Sequence, residues 1–354
     1  MSDATEIRSE LIEMVTSRYF QGAKRSQLRI APWAILDFSS VFNIVDQQRH
    51  GVYVKVPKSR IGNDQVHPES QQDRDMAAAE YASLQYLAKY WNGFDPRVEF
   101  ITPLEFFPAH NAIVTRQAFG HDLLISFRRA DLKYKFMGQR DEHVRPILQR
   151  IGAALRNYHD ASAAAEQPMR RRTREEVVRK FVSICDDLAQ FGVERSLLDQ
   201  VTGSVAGLEI DPSDATHCMT LKGLDIRNIL VDEQDRTFLL DPGKTIVRPT
   251  MEDVARYLVT CDIIYWGSLW FFLRLRPDSS YNQATMDGYG ALGVTDARLL
   301  SAMILKEFLK HWRAAHVAVG LKHWPALVKK VIIRTYIDPF YRTAVKRKLR
   351  DLNE

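Results

Sequence analysis

The segment from Leu221 to Lys244, LKGLDIRNILVDEQDRTFLLDPGK, constrains the fold of this chain more than any other part of it. Two short apolar runs, Ile229 to Val231 and Thr237 to Leu240, flank a charged turn, and this pattern predicts a β-hairpin. Asn228 stands just before the first run and Asp241 just after the second. Because a hairpin brings its two ends together, we expect these side chains to offer oxygen ligands to one Mg²⁺ ion.

This segment resembles the catalytic loop and metal-binding hairpin of the aminoglycoside phosphotransferase-like branch of the protein-kinase fold. The family pattern is His-Gly-Asp, four residues, Asn, an apolar strand, a turn, a second apolar strand and then Asp-Phe-Gly or a relative of it. Asn228 and Asp241 stand thirteen residues apart, as in that pattern. An ordinary surface hairpin is the competing interpretation.

The resemblance implies an α+β, bilobal protein-kinase-like fold. Its N-lobe would be a small antiparallel β-sheet with one long helix, and its C-lobe would be larger and mainly α-helical. The resemblance also implies ATP and Mg²⁺ as cofactors and a transferred phosphate.

The loop departs from the family pattern at its catalytic position. Counting back from Asn228, the catalytic Asp of the family falls on Gly223, and its His-Gly falls on Leu221-Lys222. Asp225 is the one carboxylate in the loop and comes two residues late. Either the loop is rearranged so that Asp225 reaches an acceptor hydroxyl as the catalytic base, or this chain has lost its base. The sequence leaves both open.

Lys55 and Glu80 are the candidate pair for binding the nucleotide phosphates. Gly51 to Val56 reads as a strand whose alternation lets Lys55 point into a cleft. Arg74 to Tyr90 reads as a helix with Glu80 on its apolar face, and a carboxylate that faces a core needs a cation. In the kinase fold such a pair directs the lysine toward the phosphates of ATP. Lys58 is the second candidate for this lysine.

Further nucleotide contacts follow from the resemblance by position only. A glycine-rich loop is absent, and the turn before Val41 reads Phe38-Ser39-Ser40, so Ser39 and Ser40 are the candidates for covering the phosphates. Gln117 to Leu123 resembles the hinge of the family. Adenine is expected to bond to backbone near Arg116 to Ala118, with Gln117 as the cofactor-binding residue. Lys222 or Lys244 would add positive charge near the γ-phosphate.

Sequence patterns divide the chain into three parts. Residues 1–30 contain an N-terminal amphipathic helix, residues 31–120 form the N-lobe, and residues 121–354 form the helical C-lobe with the hairpin 221–244. Ile147 to His159 predicts a helix in which a glycine permits close packing and His159 acts as a structural cap. Asp253 is expected to be a structural residue at a helix start, and Met286 to Gly290 resembles a Gly-Tyr turn of the family.

Composition favours a globular protein of a reducing cytoplasm. Hydrophobic residues make up 45% and charged residues 26% of the chain. The cysteines are widely separated and lack metal-ligand spacing, which indicates free thiols at Cys185, Cys218 and Cys261. The N-terminus does not resemble a signal peptide. Tyr257 to Leu275 is apolar but interrupted by charge, so a buried helix is expected there rather than a membrane span.

Positive charge is concentrated at the C-terminal end. From Lys322 to Arg350, Asp338 is the sole acidic residue among nine lysines and arginines. One interpretation of this basic segment, 322–350, is a solvated helix face. The other is a contact with an anionic partner, which would be either the inner surface of the membrane or an acidic substrate. No nucleic-acid-binding module accompanies the charge, so no nucleic-acid partner is expected. The Arg-rich run from Met169 to Lys180 reads as a solvated linker or a helix start.

These observations predict an ATP-dependent phosphotransferase that acts on a hydroxyl of a small molecule or saccharide, anionic or membrane-proximal in the favoured version. The alternative is a pseudokinase, a binding or scaffold protein that has lost the catalytic base. A third interpretation is an unrelated α+β protein with a chance hairpin. The oligomeric state is open.

Overall fold

The computed structural model describes residues 4–36, 39–58, 69–91, 94–140, 142–165, 171–209, 211–243, 245–268 and 275–353. Contacts divide the chain into two compact units. The first comprises Met1–Ser126 and Leu221–Thr245, and the second comprises Phe127–Thr220 and Ile246–Glu354. The hairpin segment therefore groups with the N-terminal part of the chain. The predicted fold class is confirmed, with antiparallel β-structure and one long helix in the first unit and mainly helices in the second.

A six-stranded sheet is the centre of the first unit. Its order is β1-β3-β4-β7-β6, with β2 paired to β3. The strands are β1 (Arg29–Ile30), β2 (Ala34–Ile35), β3 (Ser39–Val45), β4 (Gly51–Pro57), β6 (Pro103–Phe107) and β7 (Ala112–Arg116). One face of this sheet packs in an apolar core with α1 (Ala4–Tyr19), to which β4 contributes Val52, Val54 and Val56. Because strand residues alternate between faces, Tyr53 and Lys55 are left for the opposite side.

The long helix of the first unit is α2 (Gln71–Trp91), which begins earlier than the expected Arg74. Ser70 precedes it, and its hydroxyl accepts a hydrogen bond of 3.3 Å from the N–H of Asp73, which satisfies one of the unpaired donors of the first turn. The helix buries Ala77, Leu84 and Leu87.

The predicted hairpin is present and forms part of a second, four-stranded sheet. Its order is β5-β11-β10-β8, built from β5 (Val98–Phe100), β8 (His121–Asp122), β10 (Ile229–Val231) and β11 (Thr237–Leu239). Ile229 lies opposite Leu239 and Val231 opposite Thr237. Gly120 approaches β10 so closely that a Cβ there would lie 2.6 Å from the carbonyl oxygen of Val231. The predicted hinge, Gln117 to Leu123, therefore contacts the hairpin directly.

Helices dominate the second unit. They are α3 (Leu123–Met137), α4 (Val144–Ala165), α5 (Arg174–Gln190), α6 (Arg195–Ala206), α7 (Met251–Asp262), α8 (Ser280–Tyr289), α9 (Val294–Gly320), α10 (Ala326–Ile332) and α11 (Asp338–Asn353). A π-helix, Ile333–Ile337, joins α10 to α11. Two short strands, β9 (His217–Leu221) and β12 (Thr245–Pro249), pair with each other.

Two glycines allow α4 and α8 to pack closely. A Cβ on Gly152 would lie 2.1 Å from the carbonyl oxygen of Thr285, and one on Gly288 would lie 1.9 Å from that of Gln149. The predicted close packing at the glycine of α4 is confirmed. The expected Gly-Tyr turn is corrected, because Gly288 belongs to a helix that ends at Tyr289.

The apolar stretch from Tyr257 to Leu275 is not one helix, since α7 ends at Asp262 and a turn follows through Gly267. Residues 269–274 lie outside the described part of the chain. Among the described helices, none combines the length and the apolar character needed to cross a bilayer.

The Arg-rich run contains a buried ion pair that its sequence did not reveal. Helix α5 begins after Thr173, whose hydroxyl accepts from the N–H of Glu176. The side chain of Arg172 is only 14% exposed and lies 2.5 Å from Glu252, which also pairs with Lys306 at 3.0 Å. Burial opposes ionisation of Glu252, but Lys306 and Arg172 outweigh it and lower its pKa to about 2. The interpretation as a solvated linker is therefore wrong for Arg172, because a buried carboxylate distant in sequence recruits it.

His159 and Asp253 lie within the second unit, where both are fully buried. The prediction that His159 caps its helix is wrong, because α4 continues to Ala165. The Nδ1 atom of His159 bonds to the hydroxyl of Tyr289 at 2.8 Å, and its Nε2 atom lies 3.4 Å from Asp253. Cys218 lies beside them, and the potential ligand atoms of His159, Asp253 and Cys218 all lie within 4.8 Å of one another. However, Arg256 already pairs with Asp253 at 3.3 Å, and burial raises the pKa of the Cys218 thiol well above its usual range. This arrangement fits a structural cluster better than a metal site.

Candidate active site

Lys55 is the centre of the candidate site. Its Nζ atom lies 2.6 Å from Oε1 of Glu80 and 2.8 Å from Oδ2 of Asp241. The expected ion pair between Lys55 and Glu80 is present, and Asp241 joins it as a third member. A strand, a helix and the hairpin thus converge on one ammonium group within the first unit.

The charges of this group are set by burial and by mutual attraction. Burial lowers the pKa of Lys55, but the carboxylates of Glu80 and Asp241 outweigh it and raise the pKa above its usual value, so the lysine stays protonated. Burial raises the pKa of Glu80, and the nearby ammonium compensates only in part. Two carboxylates around one ammonium leave an excess of negative charge that suits a cation.

Asp241 is oriented by the turn that follows it. Burial would raise the pKa of its carboxyl, but Lys55 and a backbone N–H hold the pKa below its usual range. That N–H belongs to Gly243 and donates to Oδ1 at 2.9 Å. Gly243 has a φ of 58°, in the left-handed region that glycine adopts most easily. The Asp-Pro-Gly sequence therefore fixes the orientation of the Asp241 carboxylate as well as the turn of the chain.

Asn228 reaches the same cavity wall as Asp241. Its side-chain amide nitrogen donates to the carbonyl oxygen of Gly223 at 2.9 Å. The backbone carbonyl of Asn228 accepts a hydrogen bond of 2.9 Å from the N–H of Leu240. With the nitrogen used in this way, the amide oxygen is the atom that can serve a ligand. An amide oxygen and a carboxylate are suitable ligands for Mg²⁺, so the residues present fit this ion.

Gly223 occupies the position of the expected catalytic carboxylate, and the backbone explains why it is glycine. Its N–H donates to the carbonyl oxygen of Pro242 at 2.7 Å. A Cβ at this position would lie 2.1 Å from the carbonyl oxygen of Asp241. The loop therefore lies against the turn that follows Asp241, and no L side chain fits there unless the two backbones separate.

Asp225 is held in a local salt bridge. It caps the short 3₁₀ turn Ile226–Asn228 by accepting from the N–H of Arg227 at 2.9 Å. The guanidinium of Arg227 also donates to both of its oxygens, at 2.8 Å and 2.5 Å. Asp225 lines a small pocket that it shares with Asn228 and Asp241. It is thus close to the other candidates, but its carboxylate is occupied by an arginine.

The two serines lie in a strand rather than in the expected turn. Ser39 and Ser40 open β3 and stand opposite Pro57 and Val56 of β4, because the sheet extends two residues further than the hydrophobic pattern indicated. Ser39 lines the cavity beside Lys55, whereas the side chain of Ser40 is fully buried away from it. Phe38, like Lys244 in the hairpin segment, lies outside the described residues.

The cavity that contains Lys55 has a volume of about 260 Å³. Its lining combines Glu80, Asn228 and Asp241 with a set of aliphatic side chains, which are Leu36, Leu84, Ile101, Ile113, Leu230 and Leu240. Lys58, the second candidate lysine, is only 3% exposed and is not part of the lining. Tyr53 also lines the cavity, although sequence reasoning did not select it. The alternation of residues along the strand could have identified it, because Tyr53 shares a strand face with Lys55.

Gln117 lines the same cavity, and most backbone donors near it are already used. Its own N–H donates to Gly51 at 2.9 Å, and that of Arg116 donates to Thr102 at 2.9 Å. Its side-chain nitrogen bonds weakly to the carbonyl of Ala118 at 3.4 Å, while its side-chain oxygen is buried without a partner among the described residues. An unpaired buried acceptor is costly, which makes this oxygen a candidate ligand contact.

A larger open cavity of about 1040 Å³ has Gln117 in its lining as well. Its walls include Arg49, Phe119 and Arg236, but none of Lys55, Glu80, Asn228 or Asp241. Because Lys55, Glu80, Asn228 and Asp241 all line the smaller cavity, size alone does not locate the site.

Comparisons with known proteins agree with this architecture. No protein-family profile and no curated protein sequence matches the chain. Among solved structures, the GDP complex of wild-type aminoglycoside 2'-phosphotransferase-IIIa is 12% identical, with 97% of each chain covered and a TM-score of 0.54. The macrolide 2'-phosphotransferase of Brachybacterium faecium is 15% identical, with 96% of this chain and 98% of that one covered and a TM-score of 0.52. Amicoumacin kinase in complex with AMP-PNP, Ca²⁺ and Ami is 11% identical, with 99% and 96% covered and a TM-score of 0.54. The chain therefore shares the fold of aminoglycoside phosphotransferase-like kinases.

Proposed function

We propose that this chain is an ATP-dependent phosphotransferase that acts on a hydroxyl group of a small molecule or saccharide. The observation that supports the proposal is the convergence of Lys55, Glu80, Asp241 and Asn228 on the wall of one cavity. Similar structures include antibiotic phosphotransferases crystallised with ATP, ADP or GDP, which favours a nucleotide as the ligand.

Each residue has a distinct proposed role. Lys55, oriented by Glu80, binds the ATP phosphates, and the aliphatic side chains of the cavity accept adenine, with Gln117 and Ser39 as further lining residues. Asn228 and Asp241 would hold Mg²⁺, which when bound neutralises charge on the phosphates. Phosphoryl transfer needs little covalent chemistry from the protein, so positioning and charge carry most of the effect.

In the proposed reaction an acceptor hydroxyl oxygen bonds to the γ-phosphorus of ATP while the bond to the β–γ bridging oxygen breaks. The products are ADP and a phosphate ester. The hydroxyl proton passes to Asp225, which must first release Arg227, and Lys222 adds positive charge beside the loop. Because the transition state is loose, proton transfer contributes less here than positioning does.

The acceptor is proposed to be anionic or close to a membrane surface, and the protein to work at the inner face of the membrane. The argument is the basic segment 322–350, in which nine cationic side chains accompany Asp338 as the sole acid. Such a surface concentrates anionic partners at physiological ionic strength.

A pseudokinase is the second candidate function, and two observations favour it. Gly223 cannot carry a carboxylate in this loop geometry, and Asp225 is paired with Arg227. A chain with these features would bind Mg·ATP and act through a partner rather than through catalysis.

One experiment separates the two functions. Labelled ATP is incubated with pooled sugars and metabolites in the presence of wild type, Asp225→Asn or Asp241→Asn, and nucleotide binding is measured on the same samples. An enzyme is expected to label a product with wild type only. Binding of Mg·ATP without any labelled product would favour the pseudokinase, and absence of both binding and transfer would overturn both candidates.

A further inference from the structure

The second unit carries an apolar surface that the described residues leave uncovered. Every residue from Leu321 to Val328 is exposed. Leu321 and Leu327 are 71% and 72% exposed, values that a soluble protein seldom shows for neighbouring leucines. We call this surface the α10 face, and its apolar members are Val317, Leu321, Trp324, Leu327, Val328 and Val331.

The α10 face is held in place without being used for packing. All residues of α10 are described, and the helix buries none of them. The chain is anchored just beyond it, where the ring of Trp266 stacks on Tyr336 at 4.5 Å and on Phe340 at 4.2 Å between centroids. A contiguous apolar surface that is positioned but not covered indicates an interaction site.

The border of the α10 face is cationic. Lys322, Lys329, Lys330 and Arg334 surround the apolar residues in the chain. Asp338, the one acid between Lys322 and Arg350, accepts hydrogen bonds from Nε1 of Trp312 at 2.9 Å and from Nε2 of His316 at 2.8 Å, so its charge is engaged by α9. The border therefore presents almost unopposed positive charge, and its occupant must be negative.

The arrangement of side chains favours a lipid surface as that occupant. Leu327, Val328 and Val331 share one side of α10, and Lys330 and Arg334 flank that side. Long cationic side chains can lie along apolar surface and keep their charged ends at the level of lipid headgroups. Tryptophan such as Trp324 prefers the same interfacial level.

We infer that the α10 face binds the surface of a bilayer containing anionic phospholipid. This inference rests on the proposed function in one respect, which is that membrane binding would bring the enzyme close to a membrane-proximal acceptor. Lipid binding itself needs neither nucleotide nor acceptor, so the two ideas can fail separately.

Sedimentation with lipid vesicles tests the inference on the full chain. Wild type is expected to sediment with vesicles made from equal parts of phosphatidylcholine and phosphatidylglycerol, much less with pure phosphatidylcholine, and less again as salt is added. Lys330→Glu with Arg334→Glu should weaken binding by roughly thirtyfold or more, since each basic residue near an anionic surface contributes about a fivefold factor. Leu327→Ser with Val331→Ser should weaken it without altering net charge.

Matched variants control for charge and for general hydrophobicity. Arg179→Glu with Lys180→Glu makes the same change in net charge on exposed positions of α5, and Val294→Ser removes a valine that is 73% exposed at the start of α9. Both controls should bind vesicles as wild type does, and thermal unfolding should confirm that all variants fold.

Three results would overturn the inference. The first is wild type remaining in the supernatant with both vesicle types, and the second is the α5 control pair losing binding as fully as the Lys330 and Arg334 pair. The third is a dimer, seen by light scattering in the absence of vesicle binding, that Leu327→Ser with Val331→Ser dissociates. That last result would assign the surface to a second copy of the chain.

Discussion

The backbone N–H of Gly223 lies 2.7 Å from the carbonyl oxygen of Pro242, so the loop before Asn228 rests on the turn that presents Asp241. Because the two backbones touch here, the geometry of the loop requires glycine at position 223. Where the family pattern has a catalytic carboxylate, this chain has a main-chain contact that any side chain would break.

Gly223→Asp tests this relationship directly. The substitution is expected to destabilise the protein by about 2 kcal/mol or more, because its Cβ would overlap the carbonyl oxygen of Asp241. It should also weaken Mg·ATP binding, since the metal-binding turn must shift. Denaturant unfolding and nucleotide titration measure the two effects. Gly293→Asp is the control, because space is open there and an Asp at a helix N-cap is favourable. A Gly223→Asp protein that is stable and more active than wild type would contradict the proposed loop geometry.

Lys55→Met separates stability from nucleotide binding. Removing the ammonium leaves Glu80 and Asp241 facing each other without a cation, which we expect to cost about 3 kcal/mol of unfolding free energy. Adding Glu80→Gln should recover part of that stability while ATP binding stays weak. Arg195→Met, which breaks an exposed pair with Asp186, should change stability by less than about 1 kcal/mol. Recovery of ATP binding in the double variant would count against Lys55 as the phosphate ligand.

Arg227→Ala and Asp225→Asn distinguish a base from a cap. Asn still caps a turn but cannot accept a proton, so Asp225→Asn should lower turnover by about 10²-fold or more if Asp225 is the base. Arg227→Ala frees the carboxylate and should preserve or raise turnover. Equal, small losses in both variants, matched by equal losses of stability, would mean that the pair is structural. Initial rates and unfolding midpoints measured on the same preparations provide the comparison.

Glu252 predicts how stability depends on pH in the second unit. Its folded pKa of about 2 lies below the ordinary value of 4.5, so its contribution is fully present above pH 4.5 and is lost as pH falls toward 2. Glu252→Gln should therefore destabilise the protein by about 3 kcal/mol near neutral pH, with a smaller difference from wild type below pH 4.5. Denaturant unfolding over this pH range checks the sign. A difference that grows in acid would disprove the assigned ion pairing with Arg172 and Lys306.

Local patterns were sufficient to predict the hairpin and the pair of Lys55 and Glu80. Strand alternation fixes the face of Lys55, helical spacing fixes that of Glu80, and a buried carboxylate requires the nearest cation. The participation of Asp241 in the same ion pair was not predicted, because it depends on how the end of the hairpin meets β4.

Other features depend on geometry that a sequence does not display. The pairing of Asp225 with Arg227 follows from the φ and ψ angles of one turn, and residue types alone do not determine them. The burial of Arg172 depends on Glu252, which is distant in sequence and whose own burial no local pattern indicates. Ser39 and Ser40 were assigned to a turn because polar residues usually indicate one, yet sheet pairing with β4 extends through them.

The contact of Gly120 with Val231 and the pairing of β8 with β10 place the proposed adenine wall and the metal-binding hairpin in one hydrogen-bonded sheet. Base preference and metal affinity are therefore expected to change together when either one is engineered. A substitution in residues 117–120 made to exchange one purine for another would also displace the strand that follows Asn228, and selection for a new nucleotide would have to recover ion coordination in the same step.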